Sequence, residues 1–182
     1  MPNWCNNVIE LTHSNPDMIT RAVRALERNE LLQEFVPCPK ELTDTVSGSF
    51  GDGAQQAELE NKQAENVKKF GYPTWYEFCI NEWGTKWDVS EANISDQTEI
   101  SVSASFDTAW GPPITAMEQL SELGFEVELY YYEPGMDFCG KYTSEYGDRD
   151  YKCSEEIPAD IDEMFGISEQ RAEWEEEEEE DE

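Results

Sequence analysis

One histidine, five scattered cysteines and 42 carboxylates are the chemistry this chain of 182 residues has to offer. With His13 alone, Ser-His-Asp triads, Cys-His dyads and histidine-rich metal sites have almost no material. His13 ends a strand pattern, where a surface or hydrogen-bonded polar position is the ordinary expectation. Cys5, Cys38, Cys79, Cys139 and Cys153 are odd in number and lack zinc-site spacing, so free thiols in a reducing compartment are expected. Neither H-E-x-x-H nor G-x-x-x-x-G-K-[ST] occurs. Gly48–Gly53 lacks dinucleotide spacing and precedes a polar helix, so it reads as a flexible loop. Asp148-x-Asp150 and Asp160-x-Asp162 begin like calcium loops but lack the sixth-position Gly and twelfth-position Glu. Paired carboxylates for hydrolysis are uninformative where acids are so abundant. No enzyme activity, cofactor or metal is expected.

Two short boxes are more distinctive: Asn81-Glu-Trp-Gly-Thr-Lys-Trp-Asp88 and Phe106-Asp-Thr-Ala-Trp-Gly-Pro-Pro113. Each sets Trp beside Gly next to a polar residue. Trp supplies flat area, Gly allows close backbone approach, and Lys86 or Asp107 can orient a ligand. Trp83, Lys86, Trp87 and Trp110 are therefore a candidate ligand or peptide site. The competing expectation is that the indoles pack the sheet on its helices.

The elements that must position these boxes follow from periodicity. Residues 4–13 alternate as a strand, with Ile9 and Leu11 on one face and Val8 and Glu10 on the other. Ser14-Asn15-Pro16-Asp17 starts a helix with Ile19, Ala22, Val23 and Leu26 inward. Arg21, Arg24 and Arg28 lie toward its other side. Residues 34–53 read as loop and 54–70 as an exposed helix, closed by Tyr72-Pro73. Thr74 caps a shorter helix bearing Trp75, Phe78 and Cys79. Strands are expected at 86–89 and 98–107, the second with Ile100, Val102, Ala104 and Phe106 inward. A helix opened by Pro112-Pro113 follows, with Ile114, Met117 and Leu120 inward, and Gly124 ends it. Residues 125–132 form a strand with Glu126 and Glu128 outward, and 138–153 a hairpin turning near Gly147-Asp148. Residues 158–172 form a short helix.

Strand–helix–strand–strand–helix–strand is the order of an α+β ferredoxin-like sandwich, an antiparallel sheet with two helices on one face and the other face open. It spans 1–153, with inserted loops and helices at about 30–80. Residues 154–182 form an acidic C-terminal segment, expected to be disordered from about 173 because like charges at i and i+4 repel.

The two Trp boxes, the opening Met1-Pro-Asn-Trp-Cys-Asn-Asn7 and the Phe35-Val-Pro-Cys-Pro39 turn resemble the YubB-type ferredoxin-like domain family of phage and plasmid proteins. The resemblance covers roughly residues 1–140 and leaves the segment from 154 outside. It implies a ferredoxin-like fold and carriage on a mobile element, and it carries over no catalytic residue.

Charge narrows the partners. Against 42 acids stand 12 Lys and Arg, a formal charge of −30. Residues 154–182 hold 15 acids and one base, and the 54 residues between Lys86 and Lys141 hold eleven acids and no base. Such a surface repels nucleic-acid backbone and anionic membrane and attracts basic surfaces. No apolar run is long enough to span a bilayer and no leader opens the chain, so a cytoplasmic protein is expected, in a host cell if phage-encoded. One reading of the charge is solubility alone. Another is an acidic protein-binding accessory protein that imitates DNA and blocks a host nucleic-acid-binding or defence enzyme. Its acidic face would include Glu99, Glu126 and Glu128, since alternate acids on a strand stand about 6.7 Å apart on strands about 4.8 Å apart. The alternative is the ligand or peptide module of the Trp boxes.

Overall fold

The two-residue period of the first strand decides the architecture. In β1 (Trp4–Thr12), Cys5, Asn7, Ile9 and Leu11 are buried, while Glu10 points the other way. A strand whose alternate residues are this well buried takes a central place, and β1 pairs on both sides, all pairings being antiparallel. The computed structural model describes residues 3–180, with side chains to Glu173. Met1 and Pro2 of the opening box lie outside these residues, as do Asp181 and Glu182 of the segment expected to be disordered.

Along the chain, α1 (Pro16–Glu27) is capped by the Asn15 side chain, which accepts from the Asp17 N–H at 3.0 Å. It buries Ile19, Ala22, Ala25 and Leu26; Ala25 takes the innermost place expected of Val23, which is half-buried. The stretch expected to be loop contains two short helices, α2 (Leu31–Phe35) and α3 (Lys40–Thr43). The exposed helix α4 (Ala54–Phe70) buries only Leu59 and Asn66. Then come α5 (Trp75–Phe78), capped by Thr74, and a π-helical turn over Cys79–Trp83.

No strand forms at 86–89. Asp88 instead accepts the backbone N–H groups of Leu32 (2.9 Å) and Gln33 (2.8 Å), capping α2 from across the fold, and β2 starts later, at Ser90–Gln97. Burial pushes the Asp88 carboxyl up to about 6 even though three backbone N–H groups favour its ionised form. In β3 (Ser101–Ala109), Val102, Ala104 and Phe106 face the core, but Ile100 is exposed. The turn before it explains this, because the Thr98 hydroxyl accepts from the N–H groups of Ile100 and Ser101. The remaining elements are α6 (Ile114–Glu122), β4 (Glu126–Glu133), β5 (Phe138–Thr143), β6 (Gly147–Tyr151), α7 (Ala159–Phe165) and α8 (Ile167–Glu180). Backbone helix thus runs through 173–180, where disorder was expected. Glu is a good helix former, and buried Ile167 anchors the start.

The sheet order is β2-β3-β1-β4-β5-β6. Its first four strands have the ferredoxin-like arrangement, and the C-terminal hairpin extends it beside β4. Helices α1 and α6 cover one face over Ile9, Leu11, Val102, Phe106, Val127 and Leu129. The other face is not wholly open: α7 and the start of α8 close over Tyr132 and Cys139 through Cys153, Ile161 and Ile167. Among the described residues nothing packs on it over β2, β3 and most of β1.

Tyr131 locks the hairpin to the sheet. Its ring crosses Gly140 of β5 so that its hydroxyl donates to Asp148 of β6 at 2.8 Å. A Cβ on residue 140 would overlap the Tyr131 hydroxyl and ring. Gly140→Ala is therefore expected to lower the unfolding free energy by about 1–3 kcal/mol, the cost of overpacking. Urea denaturation checks it, and a loss of hydrogen-exchange protection in β6 should accompany the loss.

Candidate functional site

On the sheet face away from α1 and α6, residues of β1 and β4 stand in register. Glu10 is directly opposite Glu128, and Glu126 is opposite Thr12. Like charges paired across strands destabilise a sheet unless something intervenes. Here Lys141 of β5 intervenes on one side: its Nζ lies 2.7 Å from Glu128 and 3.4 Å from Asp160 of α7. The same ammonium donates to the Tyr130 hydroxyl and sits 4.3 Å from the centre of that ring. Among the described residues, no Lys or Arg pairs with Glu10 or Glu126.

These side chains floor a groove of about 1020 Å³ between the sheet, the β5–β6 hairpin and α7. Glu145, Tyr146, Arg149 and Tyr151 line its hairpin side, and Pro158, Asp160 and Ile161 its α7 side. The charges shift one another. The hydrogen bond from Lys141 holds the Glu128 carboxyl below its ordinary range. Partial burial alone would push Lys141 down, but its bonds to Glu128 and Tyr130 reverse this and raise it.

Of the acids expected to form one face, Glu126 and Glu128 share this groove. Glu99 does not: it lies in the β2–β3 turn and lines a separate cleft of about 430 Å³ with Arg24 and Glu27 of α1. Between the two, β3 shows serines (Ser101, Ser103, Ser105) rather than acids on this face. Glu10 and Lys141 were not proposed as site residues from sequence, and Asp160 was considered only in a calcium-loop pattern that it does not complete. The outward phase of Glu10 was legible, but its register opposite Glu128 was not.

The Trp boxes split. Trp83 is 5% exposed, and its Nε1–H donates to the Val36 carbonyl at 2.8 Å, so it belongs to the core. Gly84, at φ 83°, brings the backbone against the start of α6. Trp87 and Trp110 are each 39% exposed and flank Lys86, whose Nζ lies 4.5 and 5.0 Å from their ring centres and 5.9 Å from that of Tyr76. Trp4 adds a third exposed indole, 6.3 Å from Trp87. Trp110 holds a positive φ of 71°, a costly backbone state for a bulky residue. Lys86 has no carboxylate partner among the described residues; aromatic faces hold it instead.

The cysteines offer no nucleophile to either place. All five are buried and unpaired, and burial pushes Cys5 and Cys79 up to about 12 and Cys38 up to about 11. Among the described residues no group of three or more His, Cys, Asp or Glu is arranged to hold a metal ion, and no helix is long and apolar enough to cross a membrane.

An antiparallel sheet backed by helices, with an acid-floored groove on its second face, defines an α+β protein of the ferredoxin-like class. Residues 82–182 match the family described as ferredoxin-like domain in Api92-like protein, and the chain belongs to that family. The match runs through the C-terminal segment. The crystal structure of protein api92 from Yersinia pseudotuberculosis is similar over 87% of this chain and 100% of its own, with a TM-score of 0.50 and 13% sequence identity. At that identity the likeness concerns the fold alone. No curated protein matches the chain.

The Lys141 cluster has a definite pH signature. A carboxyl held below its ordinary range stabilises the fold above that range, and the contribution is lost as pH falls through the lowered value. A raised ammonium contributes below its ordinary range and is lost as pH rises through the raised value. Lys141→Met should therefore unfold at slightly lower urea than the wild type at pH 7, and the gap should narrow as pH falls below the ordinary carboxylate range. Urea midpoints measured across pH 3–8 check this.

Proposed function

We propose that the protein is an acidic binding protein that receives a basic segment of a partner protein on its groove-bearing sheet face. The observation that carries this is the Glu10–Glu128 pair, two carboxylates opposed across neighbouring strands on the floor of an open groove, with Glu126 beside them. Lys141 already neutralises the Glu128 side, so a guanidinium or ammonium set against Glu10 and Glu126 would be favourable. The net charge of −30 adds a long-range field that draws basic surfaces and turns away nucleic acid and anionic membrane. In its fuller form, the partner is a nucleic-acid-binding or defence enzyme of a host cell, and the acidic surface stands in for phosphate. Carriage on a phage or plasmid, YubB kinship and action in the host cytoplasm belong to the same proposal. No catalysis is part of it.

The test uses a fluorescent decapeptide alternating Arg and Thr, with anisotropy read at low and moderate salt. Glu10→Lys plus Glu128→Lys should weaken binding at least tenfold, equivalent to about 1.4 kcal/mol. Glu58→Lys plus Glu65→Lys on α4 makes the same charge change away from the groove and should cost far less. Equal losses from the two variants would leave only unspecific attraction and end the groove reading.

A second reading is favoured by Lys86, whose ammonium is held by Tyr76, Trp87 and Trp110 rather than by acids. In this reading the surface aromatic cluster takes a small ligand or peptide. Trp87→Ala plus Trp110→Ala would then abolish capture of a ligand that the groove variant still binds. The basic peptide should be indifferent to this pair.

A further inference from the structure

The opening run and the Thr108–Pro113 box, neither of which the acidic groove uses, meet at one end of β1 on the helix-covered face of the sheet. The Trp110 N–H donates to the Asn3 carbonyl at 2.9 Å and ties the two segments together. Just inside this tie, Cys5, Asn7, Thr108 and Glu133 are all buried to 2% exposure or less. The Asn7 amide nitrogen bonds the carbonyls of Cys5 (2.8 Å) and Phe106 (3.3 Å) and the Thr108 hydroxyl (2.8 Å). Two carbonyls among its partners fix which way the amide points. The Thr108 hydroxyl donates its own hydrogen to the Gly111 carbonyl at 2.8 Å. Glu133 accepts the Gly135 N–H on Oε1 at 3.1 Å. Two buried oxygens remain: among the described residues nothing donates to Asn7 Oδ1 or to Glu133 Oε2. Nor does any described Lys or Arg pair with Glu133.

Register brings these oxygens to one place. Asn7 stands opposite Tyr131, so Glu133, two residues further along β4, is its diagonal neighbour on the same face. Diagonal neighbours have Cα atoms about 7–8 Å apart, a gap that one small guest between the two side chains can span. The guest must supply charge as well as hydrogen bonds, because a buried carboxylate without a counter-charge costs far more than an unmade hydrogen bond. Water would satisfy the lone pairs and leave the charge. A calcium ion demands six or more oxygens, and magnesium an octahedral shell, which two side-chain oxygens do not approach. One carboxylate balances one positive charge. We infer that Asn7 Oδ1 and Glu133 Oε2 hold a small monovalent cation (sodium, potassium or ammonium) where the two motifs meet. The cation joins the end of β1 to the end of β4, beneath the turn that holds Trp110 at its positive φ. The net charge of −30 raises the concentration of cations around the chain and so favours loading.

Urea midpoints in the chlorides of sodium, potassium, ammonium and tetramethylammonium, at equal ionic strength, test this. Screening of so acidic a chain is the same in all four salts, whereas tetramethylammonium is too large for an enclosed site. At least one small cation should raise the wild-type midpoint above its value in tetramethylammonium, with an effect that saturates as the cation is titrated in. Glu133→Gln keeps the shape of the side chain and removes its charge, and it should abolish the preference while the common screening response remains. Glu58→Gln on α4 makes the same charge change elsewhere and should leave the preference intact. Equal wild-type midpoints in all four salts, or a preference that survives in Glu133→Gln, overturn the inference. So does a wild type without cation preference that acetylation of the Met1 amine destabilises as much as Glu133→Gln does, an outcome that assigns the counter-charge to that amine. Should Glu133→Gln fail to fold, wild-type crystals soaked in rubidium or thallium(I) decide. An anomalous peak in contact with both oxygens upholds the site, and none there overturns it.

Discussion

The pleat of three neighbouring strands governs this molecule. On β1, β3 and β4 one phase of residues is claimed by the core beneath α1 and α6: Ile9 and Leu11, Val102 and Phe106, Val127 and Leu129. With a period of two there is no freedom left for the other phase. Glu10, Glu126 and Glu128 must stand on the second face, and the registers of the pairing bring them into one neighbourhood. A slip of a single residue would bury the carboxylates and expose the core. The acidic floor is therefore enforced by burial of apolar residues on the opposite face, and it does not depend on any favourable contact among the acids.

That enforcement leaves a repulsion, which Lys141 relieves on one side only. Its ammonium ties Glu128 to Asp160, and so joins β4 to α7 across the groove. Both acids are substantially exposed, so the pair contributes little to stability. Its larger effect is positional: it holds α7 at the groove's margin and leaves Glu10 and Glu126 facing solvent. Lys86 presents the opposite solution. In a chain crowded with carboxylates, it is surrounded by Tyr76, Trp87 and Trp110 and keeps its charge away from them. The two lysines that bound the base-free stretch thus have different jobs, one screening acids and the other ordering an aromatic surface.

The ferredoxin-like core was legible because its strands and helices announce themselves by period and by caps, such as Asn15 before Pro16 and the alternation Val102–Ala104–Phe106. The misreadings fall where a long-range contact overrides local pattern. Residues 86–89 have the texture of a strand, but Asp88 is drawn off to cap α2, whose N–H groups lie 55 and 56 positions earlier in the chain. Ile100 continues the alternation of its strand, yet the Thr98 hydroxyl closes a turn there first. Two of the three proposed acids met in one groove because they share a strand, where spacing along the chain is spacing in space. Glu99, Glu10, Lys141 and Asp160 depend on which strands are neighbours and in what register. No local pattern carries that information.

The same distinction applies to the C-terminal hairpin. Read locally, Gly147-Asp-Arg-Asp-Tyr151 is a weak strand, rich in charge and poor in β-branched residues. It persists as an edge because Tyr131 reaches it from two strands away, a contact that only a glycine at position 140 allows. The phenol holds the Asp148 carboxylate, while Arg149 and Asp150 stay exposed. The hairpin is thereby ordered as one wall of the groove, with Gly147, Arg149 and Tyr151 on that side. On the proposed reading, a groove wall ordered in advance would leave little of the interaction to be spent on ordering it. On the same reading, the field of the whole chain would act mainly on the rate of encounter and on the sign of what is admitted, and the carboxylates of the groove floor on what stays.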